Sequence, residues 1–169
     1  MQHAWLCGSV AVLVEEIDFQ DPAERGPDVR ERGLRIELHT VRDRSRSGSV
    51  YSSTGREIAP AACRVDVLES APGARDRIHW HPTMTDGEPG DRVVDEELAR
   101  DPAGWVRRHL ADPVGLLDRA GIQGADARTV DGLRAAAGEV ADRVERGLAA
   151  MCRPWPDVVH DERGLAVPD

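Results

Sequence analysis

The sequence predicts an α+β fold: a mostly antiparallel sheet of four to five strands, followed by C-terminal helices packed on one face of the sheet. In residues 1–82, apolar side chains recur at every second position, which is the period of a half-buried strand. In residues 95–153 they recur every three or four positions, as in an amphipathic helix. The connections between consecutive strand candidates are polar and mostly short, which favours antiparallel pairing.

The first strand candidate is Leu6 to Phe19, an apolar run that we expect to form a single central strand, buried on both faces for much of its length. Residues 20–33 follow as a polar loop with two prolines and two glycines. Leu34 to Val41 alternates cleanly, with apolar side chains inward and polar side chains outward. The charge and the Ser/Gly content of Arg42 to Ser49 predict a hairpin connection.

Three further strand candidates complete the predicted sheet. Val50 to Ile58 is the weakest, and Arg64 to Glu69 alternates more clearly. After the turn signal Ala71-Pro72-Gly73, the last strand is expected over Arg77 to His81, and the proline that follows ends it. The segment from Thr83 to Gly90 is predicted to be a loop.

Two Asp-Pro pairs mark helix starts, because aspartate caps a helix and proline is tolerated at the first helical position. Asp101-Pro102 therefore predicts a helix over Pro102 to Leu110. Asp112-Pro113 predicts a second helix over Pro113 to Ala120, and the glycine directly after it closes that helix.

A longer helix is predicted to begin at Thr129 or Asp131. Its apolar side chains form one stripe against the core or against a partner: Leu133, Ala137, Val140, Val144, Leu148 and Met151. Residues 154–169 are expected to form an extended tail. With 169 residues and 40% hydrophobic content, the chain is long enough for one domain with a real core, so we expect a single domain over residues 1–169.

The composition restricts the class of partner. The net charge of -9 disfavours a nucleic-acid binder, because phosphate contacts need a basic surface. All 22 positive charges are arginine, and the chain has neither lysine nor asparagine, as in a very GC-rich genome, so arginine enrichment carries little weight. No segment is long enough to span a membrane, and we expect a cytoplasmic protein. A protein partner, a homodimer formed through the long helix and a small ligand all stay open.

Three widely spaced cysteines, Cys7, Cys63 and Cys152, include no C-x-x-C pair. They therefore predict neither a disulfide framework nor a zinc cluster, and we expect buried structural thiols. The sequence also contains no nucleophile elbow, phosphate-binding glycine loop or dinucleotide fingerprint.

The residues most informative about function are His79 and His81. They lie at i and i+2 of a predicted strand, so both imidazoles would project from one face while Trp80 points to the other face, into the core. If consecutive strands pair, their polar faces gather five metal-ligating side chains: Glu37, His39, Asp66, His79 and His81. Histidine and carboxylate ligands suit zinc, iron or manganese. Glu88, in the acidic loop directly after the histidines, is a further candidate ligand.

The same positions allow two other interpretations. Arg35, Arg64 and Arg77 alternate with these side chains and would pair with the carboxylates on an ordinary solvated sheet face. The arginines would also suit a small anionic ligand. Since no complete catalytic set is visible, we expect a noncatalytic binding or interaction module. A metal- or small-anion-dependent enzyme that uses the histidine face is the alternative.

Two resemblances involve these residues. The His-x-His spacing resembles the first cupin motif, in which two histidines and a glutamate hold a metal inside a β-barrel, although Glu88 lies beyond the usual gap and no second motif follows. The run from Ile78 to Gly121, with His-x-His-Pro, a Gly-Glu-Pro loop and Asp-Pro-x-x-Trp, resembles an actinobacterial family of unknown function. That resemblance implies that Trp105 and residues 79–89 belong to one structural unit, and it implies no catalytic residues.

Overall fold

The computed structural model describes residues 1–20, 30–44, 55–155, 157 and 163. The strands in these residues are β1 (Gln2–Cys7), β2 (Val10–Gln20), β3 (Arg30–Arg44), β4 (Gly55–Glu69), β5 (Arg77–His81), β6 (Met84–Thr85) and β7 (Glu88–Pro89). The helices are α1 (Glu96–Arg100), α2 (Pro102–Ala111), α3 (Val114–Arg119) and α4 (Ala127–Met151). This order of strands followed by helices confirms the predicted α+β class.

Strands β1 to β5 form one sheet in which each strand pairs antiparallel with its neighbour in sequence. The helices cover one face of this sheet, and α4 packs across β1, β2 and β3. The core between them is built from alternate strand residues and from the apolar stripes of the helices, among them Val12, Leu34, Val65, Leu133 and Val140. The predicted antiparallel sheet with helices on one face is therefore confirmed.

The prediction of a single strand from Leu6 to Phe19 is wrong. The chain turns at Gly8 and Ser9, and β1 pairs with β2 so that Cys7 lies opposite Val10. Gly8 has a φ of 61°, a left-handed conformation that tight hairpin turns require and that glycine adopts without steric cost. The turn lies inside a continuous apolar run, so the pattern of hydrophobicity does not mark it.

Strand β3 is longer than the predicted Leu34 to Val41. At its start the chain is charged, and Arg30 forms two hydrogen bonds with the Asp18 carboxylate on β2, of 2.9 and 2.8 Å. Ion pairs of this kind let a strand continue beyond its apolar residues. The apolar alternation alone therefore gave bounds that were too short.

Parts of the predicted loops and of the weak strand Val50 to Ile58 lie outside the described residues, as does most of the predicted tail. Where the structure does describe the loop candidates, residues 30–33 and 42–44 belong to β3, so these parts of the loop predictions are wrong. Ile58 belongs to β4, which runs unbroken into the predicted strand Arg64 to Glu69.

The helix α2 begins as predicted, with the Asp101 carboxylate accepting a hydrogen bond of 2.9 Å from the Gly104 N–H. The start of α3 differs, because Pro113 occupies the capping position and no side chain caps this helix. The prediction that Asp112 caps this helix is therefore wrong. Gly121, with a φ of 68°, ends α3 as expected.

The long helix α4 starts earlier than predicted, because Asp126 caps it by accepting a hydrogen bond of 2.8 Å from the Thr129 N–H. The predicted apolar stripe is buried except at Leu148, which is half-buried and packs against the core. Among the helices in the described part of the chain, none is both long and apolar enough to cross a bilayer.

The segment from Thr83 to Gly90, predicted to be a loop, contains the two short paired strands β6 and β7. Asp86 and Gly87 form the turn between them, with φ values of 52° and 88°. Positive φ at two successive residues is typical of a type I′ turn, for which Asp-Gly is a strong sequence signal. This signal could have revealed the hairpin.

Trp80 lies on the face opposite the two histidines, in the core covered by the helices. Its ring packs edge to face on Trp105, with 5.3 Å between the centroids, and both side chains are buried. The Trp80 backbone forms two hydrogen bonds with that of Val93, of 3.0 and 2.8 Å. The predicted orientation of Trp80, into the core and away from the histidines, is confirmed.

The cysteines are not all buried. Cys7 and Cys63 lie in the core as predicted, whereas Cys152, directly after α4, is exposed. Burial raises the pKa of the Cys63 thiol to about 12, so this side chain acts as a small apolar residue.

Candidate metal centre

Asp66, His79 and His81 lie together on the sheet face opposite Trp80. Asp66 is paired with His79 in the register of β4 and β5, and His81 is the next β5 residue on that face. The three side chains belong to buried residues, which are 4%, 6% and 7% exposed, respectively. The imidazole rings of the two histidines are nearly perpendicular, with 5.0 Å between their centroids.

One ligand atom from each of these residues lies near a ligand atom of each of the other two. The Oδ2 atom of Asp66 lies 3.6 Å from Nε2 of His79 and 3.9 Å from Nε2 of His81, and ligand atoms of the three residues lie within 4.8 Å of one another. The two carboxylate-imidazole distances are too long for hydrogen bonds. Ligand atoms about 2.1 Å from a tetrahedral metal ion lie about 3.4 Å apart. The two distances from Asp66 exceed this separation by only a few tenths of an ångström.

Neighbouring groups orient two of the three ligands. The Nδ1 atom of His81 lies 2.9 Å from the Gly90 carbonyl oxygen. Because a carbonyl can only accept, Nδ1 carries the proton in this bond, and Nε2 of the neutral ring keeps its lone pair. Arg35 donates from Nε to Oδ1 of Asp66 at 2.9 Å, so Oδ2 is the oxygen that faces the imidazoles. Hydrogen bonds of this kind orient the ligands of metal sites.

The electrostatic surroundings favour a neutral His79. Burial lowers the pKa of His79, and the nearby charge of Arg92 lowers it further, against the opposing effect of Asp66. A pKa below the ordinary value of about 6.5 leaves the ring mostly neutral at pH 7. Metal binding requires this neutral form.

Glu37 and His39, which were predicted to join this site, form a second cluster with Arg64. His39 Nε2 lies 3.2 Å from Glu37 Oε2, and Arg64 donates from Nε to Glu37 Oε1 at 2.8 Å. The other ring nitrogen of His39 lies 2.8 Å from the Ala59 carbonyl oxygen. With an acceptor facing each ring nitrogen, His39 is arranged as an imidazolium and not as a metal ligand.

The pKa shifts in this second cluster agree with an ion pair. Burial disfavours the charged form of His39, but the hydrogen bonds to Glu37 and to the Ala59 carbonyl outweigh it and raise the pKa of His39. Burial likewise opposes the charge of Glu37, yet its hydrogen bonds with His39 and Arg64 lower the pKa of Glu37 overall. Both groups therefore stay charged over a wider pH range than they would in solution.

We expect the stability contributed by His39 to fall as the pH rises. A pKa that is higher in the folded than in the unfolded state gives a contribution that is complete below about pH 6.5 and is lost as the pH passes through the folded pKa. Urea unfolding in the presence of EDTA should therefore show a larger destabilisation by His39→Gln at about pH 6 than at about pH 8.5. A larger destabilisation at the higher pH would contradict the ion pair.

Glu88, the remaining predicted ligand, is exposed on β7 and is not part of the three-residue group. The β6–β7 hairpin contributes to the site through its backbone, because it returns the chain to β5 and places the Gly90 carbonyl oxygen next to His81. The sequence interpretation missed this backbone contact and the charge of Arg92 beside His79. The Asp-Gly turn signal is the feature that could have indicated the return of the chain.

Comparisons with known proteins add no assignment to these residues. No protein-family model, curated protein or solved structure matches this chain significantly. The resemblances to cupins and to an actinobacterial family therefore stay predictions.

Proposed function

We propose that this protein binds one divalent transition-metal ion through Asp66, His79 and His81. The observation that supports this most directly is that Asp66 Oδ2 lies 3.6 and 3.9 Å from Nε2 of the two buried histidines, distances too long for hydrogen bonds and close to the ligand separation in a metal site. Two imidazoles and one carboxylate favour zinc, iron or manganese over magnesium or calcium, which prefer oxygen ligands.

We propose a binding module as the first candidate, because the neighbouring acid-base groups are already in use. Glu37 already accepts a hydrogen bond from Arg64, and both ring nitrogens of His39 face acceptors, so neither group is directed at the proposed metal. A metal-dependent enzyme is the second candidate, and one observation favours it. Structural zinc sites usually have four protein ligands, whereas a site with three keeps a position open for water or substrate.

Metal uptake tests the proposal. Protein stripped with EDTA should bind about one equivalent of Zn²⁺ or Co²⁺, measured by calorimetry and elemental analysis. Because the unfolded chain has no assembled site, metal at about 100 times its Kd should raise the free energy of unfolding by about 2.7 kcal/mol. His79→Ala and His81→Ala should abolish both the uptake and this stabilisation.

His39→Gln is the matched control, since it changes a third buried histidine of the same sheet. We expect this variant to bind metal with the stoichiometry of the unchanged protein. If the unchanged protein binds no stoichiometric metal, the proposal is wrong. If His39→Gln loses as much affinity as His79→Ala, the ligand assignment is wrong.

A further inference from the structure

The chain after the β6–β7 hairpin runs back along the free edge of β5. Trp80 and Val93 exchange both of their backbone hydrogen bonds in an isolated antiparallel bridge. One residue onward from Trp80 and one residue back from Val93, this antiparallel register places Arg92 opposite His81. Because side chains that face each other across a strand pair lie on the same side, Arg92 belongs to the face of the proposed metal ligands.

Arg92 differs from the other arginines beside this site. Arg35 donates to Asp66, and Arg64 donates to Glu37, so both guanidinium groups are paired. Arg92 is exposed and has no ion pair or hydrogen bond with any residue that the structure describes. It therefore presents an uncompensated positive charge next to the ligand set.

The charge balance of the site adds a second reason to expect an anion. With His79 and His81 neutral, the charged groups named here are three guanidiniums and two carboxylates: Arg35, Arg64, Arg92, Asp66 and Glu37. A divalent ion would raise this excess from one positive charge to three, and His39 adds to it when protonated. Like charges in a partly buried site repel strongly, so a bound anion would stabilise the loaded centre.

We propose that the metal centre takes a small oxyanion, a carboxylate or a phosphate, as a further ligand that pairs with the guanidinium of Arg92. This inference rests on the proposed function, since the metal supplies one of the two contacts. A three-ligand site leaves the coordination position that such an anion needs. Guanidinium binds carboxylate and phosphate through two parallel hydrogen bonds and fixes their orientation.

Visible spectroscopy of the Co²⁺-loaded protein tests this inference, because the absorption bands of the ion report on its ligands. Inorganic phosphate or acetate, added at constant ionic strength, should change the spectrum with a saturable dependence on concentration. Arg92→Gln should weaken that anion binding by about tenfold or more, since it removes a charge-assisted pair, while Co²⁺ is still bound. Arg146→Gln, an exposed residue of α4, is the control for net charge and should bind the anion unchanged.

The outcomes separate the two proposals. A response to phosphate alone or to acetate alone supports the inference and identifies the class of anion. Failure of the unchanged protein to bind Co²⁺ would overturn the proposed function and this inference with it. Co²⁺ binding with a spectrum that neither anion changes, or equal anion affinity in Arg92→Gln and the unchanged protein, would overturn the inference alone.

Discussion

Replacing Trp80 by alanine is expected to destabilise the protein by about 3–5 kcal/mol. The indole is 1% exposed and packs edge to face on Trp105, and the Arg119 guanidinium lies 5.6 Å from its ring centroid. Truncation would therefore leave a cavity between β5 and the helices and remove both aromatic contacts. Urea unfolding at constant pH measures the loss directly.

Trp80→Phe tests the contribution of aromatic packing separately from that of the indole N–H group. The buried Nε1 atom of Trp80 has no hydrogen-bond partner among the described residues, so phenylalanine loses no such bond and keeps an aromatic ring on Trp105. We expect a much smaller destabilisation than for alanine. Val94→Ala, close in sequence to the Trp80 bridge but 74% exposed, should change stability by no more than about 0.5 kcal/mol. A loss below about 1 kcal/mol for Trp80→Ala would contradict the packing described above.

Gly8→Ala is expected to destabilise the protein by about 2–4 kcal/mol, through two effects that add. Gly8 has a φ of 61°, where a Cβ atom is strained. That Cβ would also lie 2.3 Å from the Thr129 hydroxyl oxygen and 2.9 Å from the Thr129 Cα atom. The same hydroxyl is in hydrogen-bond contact with Ser9 and Asp126, so it cannot move away without disturbing the start of α4.

Gly124→Ala provides a matched control for this prediction. Gly124 has a similar φ of 69°, but a Cβ atom added there meets no atom within 4 Å. It should therefore show the backbone strain alone, about 1 kcal/mol. Equal losses in the two variants, measured by chemical unfolding, would show that the added Cβ atom makes no costly contact with Thr129.

The sequence predicted the features of the fold that depend on local alternation. The period-two pattern of Arg77 to His81 placed both imidazoles on one face and Trp80 on the other, and the structure agrees. The turn at Gly8 and the start of α4 at Asp126 were not predicted. The turn at Gly8 lies in a segment whose hydrophobicity does not change at the boundary. The start of α4 is set by Asp126, a capping residue that the apolar pattern alone does not mark.

The candidate site was harder to predict because it depends on register. In the sequence interpretation, consecutive pairing placed Asp66, Glu37 and His39 on the same sheet face as His79 and His81. The structure separates them, since Arg64 pairs with Glu37 and Arg35 pairs with Asp66. Which carboxylate each arginine takes follows from the alignment of the strands, and a shift by one residue would exchange the faces entirely.

Strand β5 has only 5 residues, and its side chains alternate between the site and the core, so its register matters for both. A register shift of one residue would place both imidazoles in the hydrophobic core beneath the helices and the Trp80 indole on the face with the carboxylates. This shift would remove both the edge-to-face contact of Trp80 with Trp105 and the three-residue ligand group. A metal ion bound to Asp66 on β4 and to both histidines of β5 would therefore stabilise the native register of β5. Its removal would lower the free energy of local unfolding at this edge of the sheet before that of the rest of the molecule.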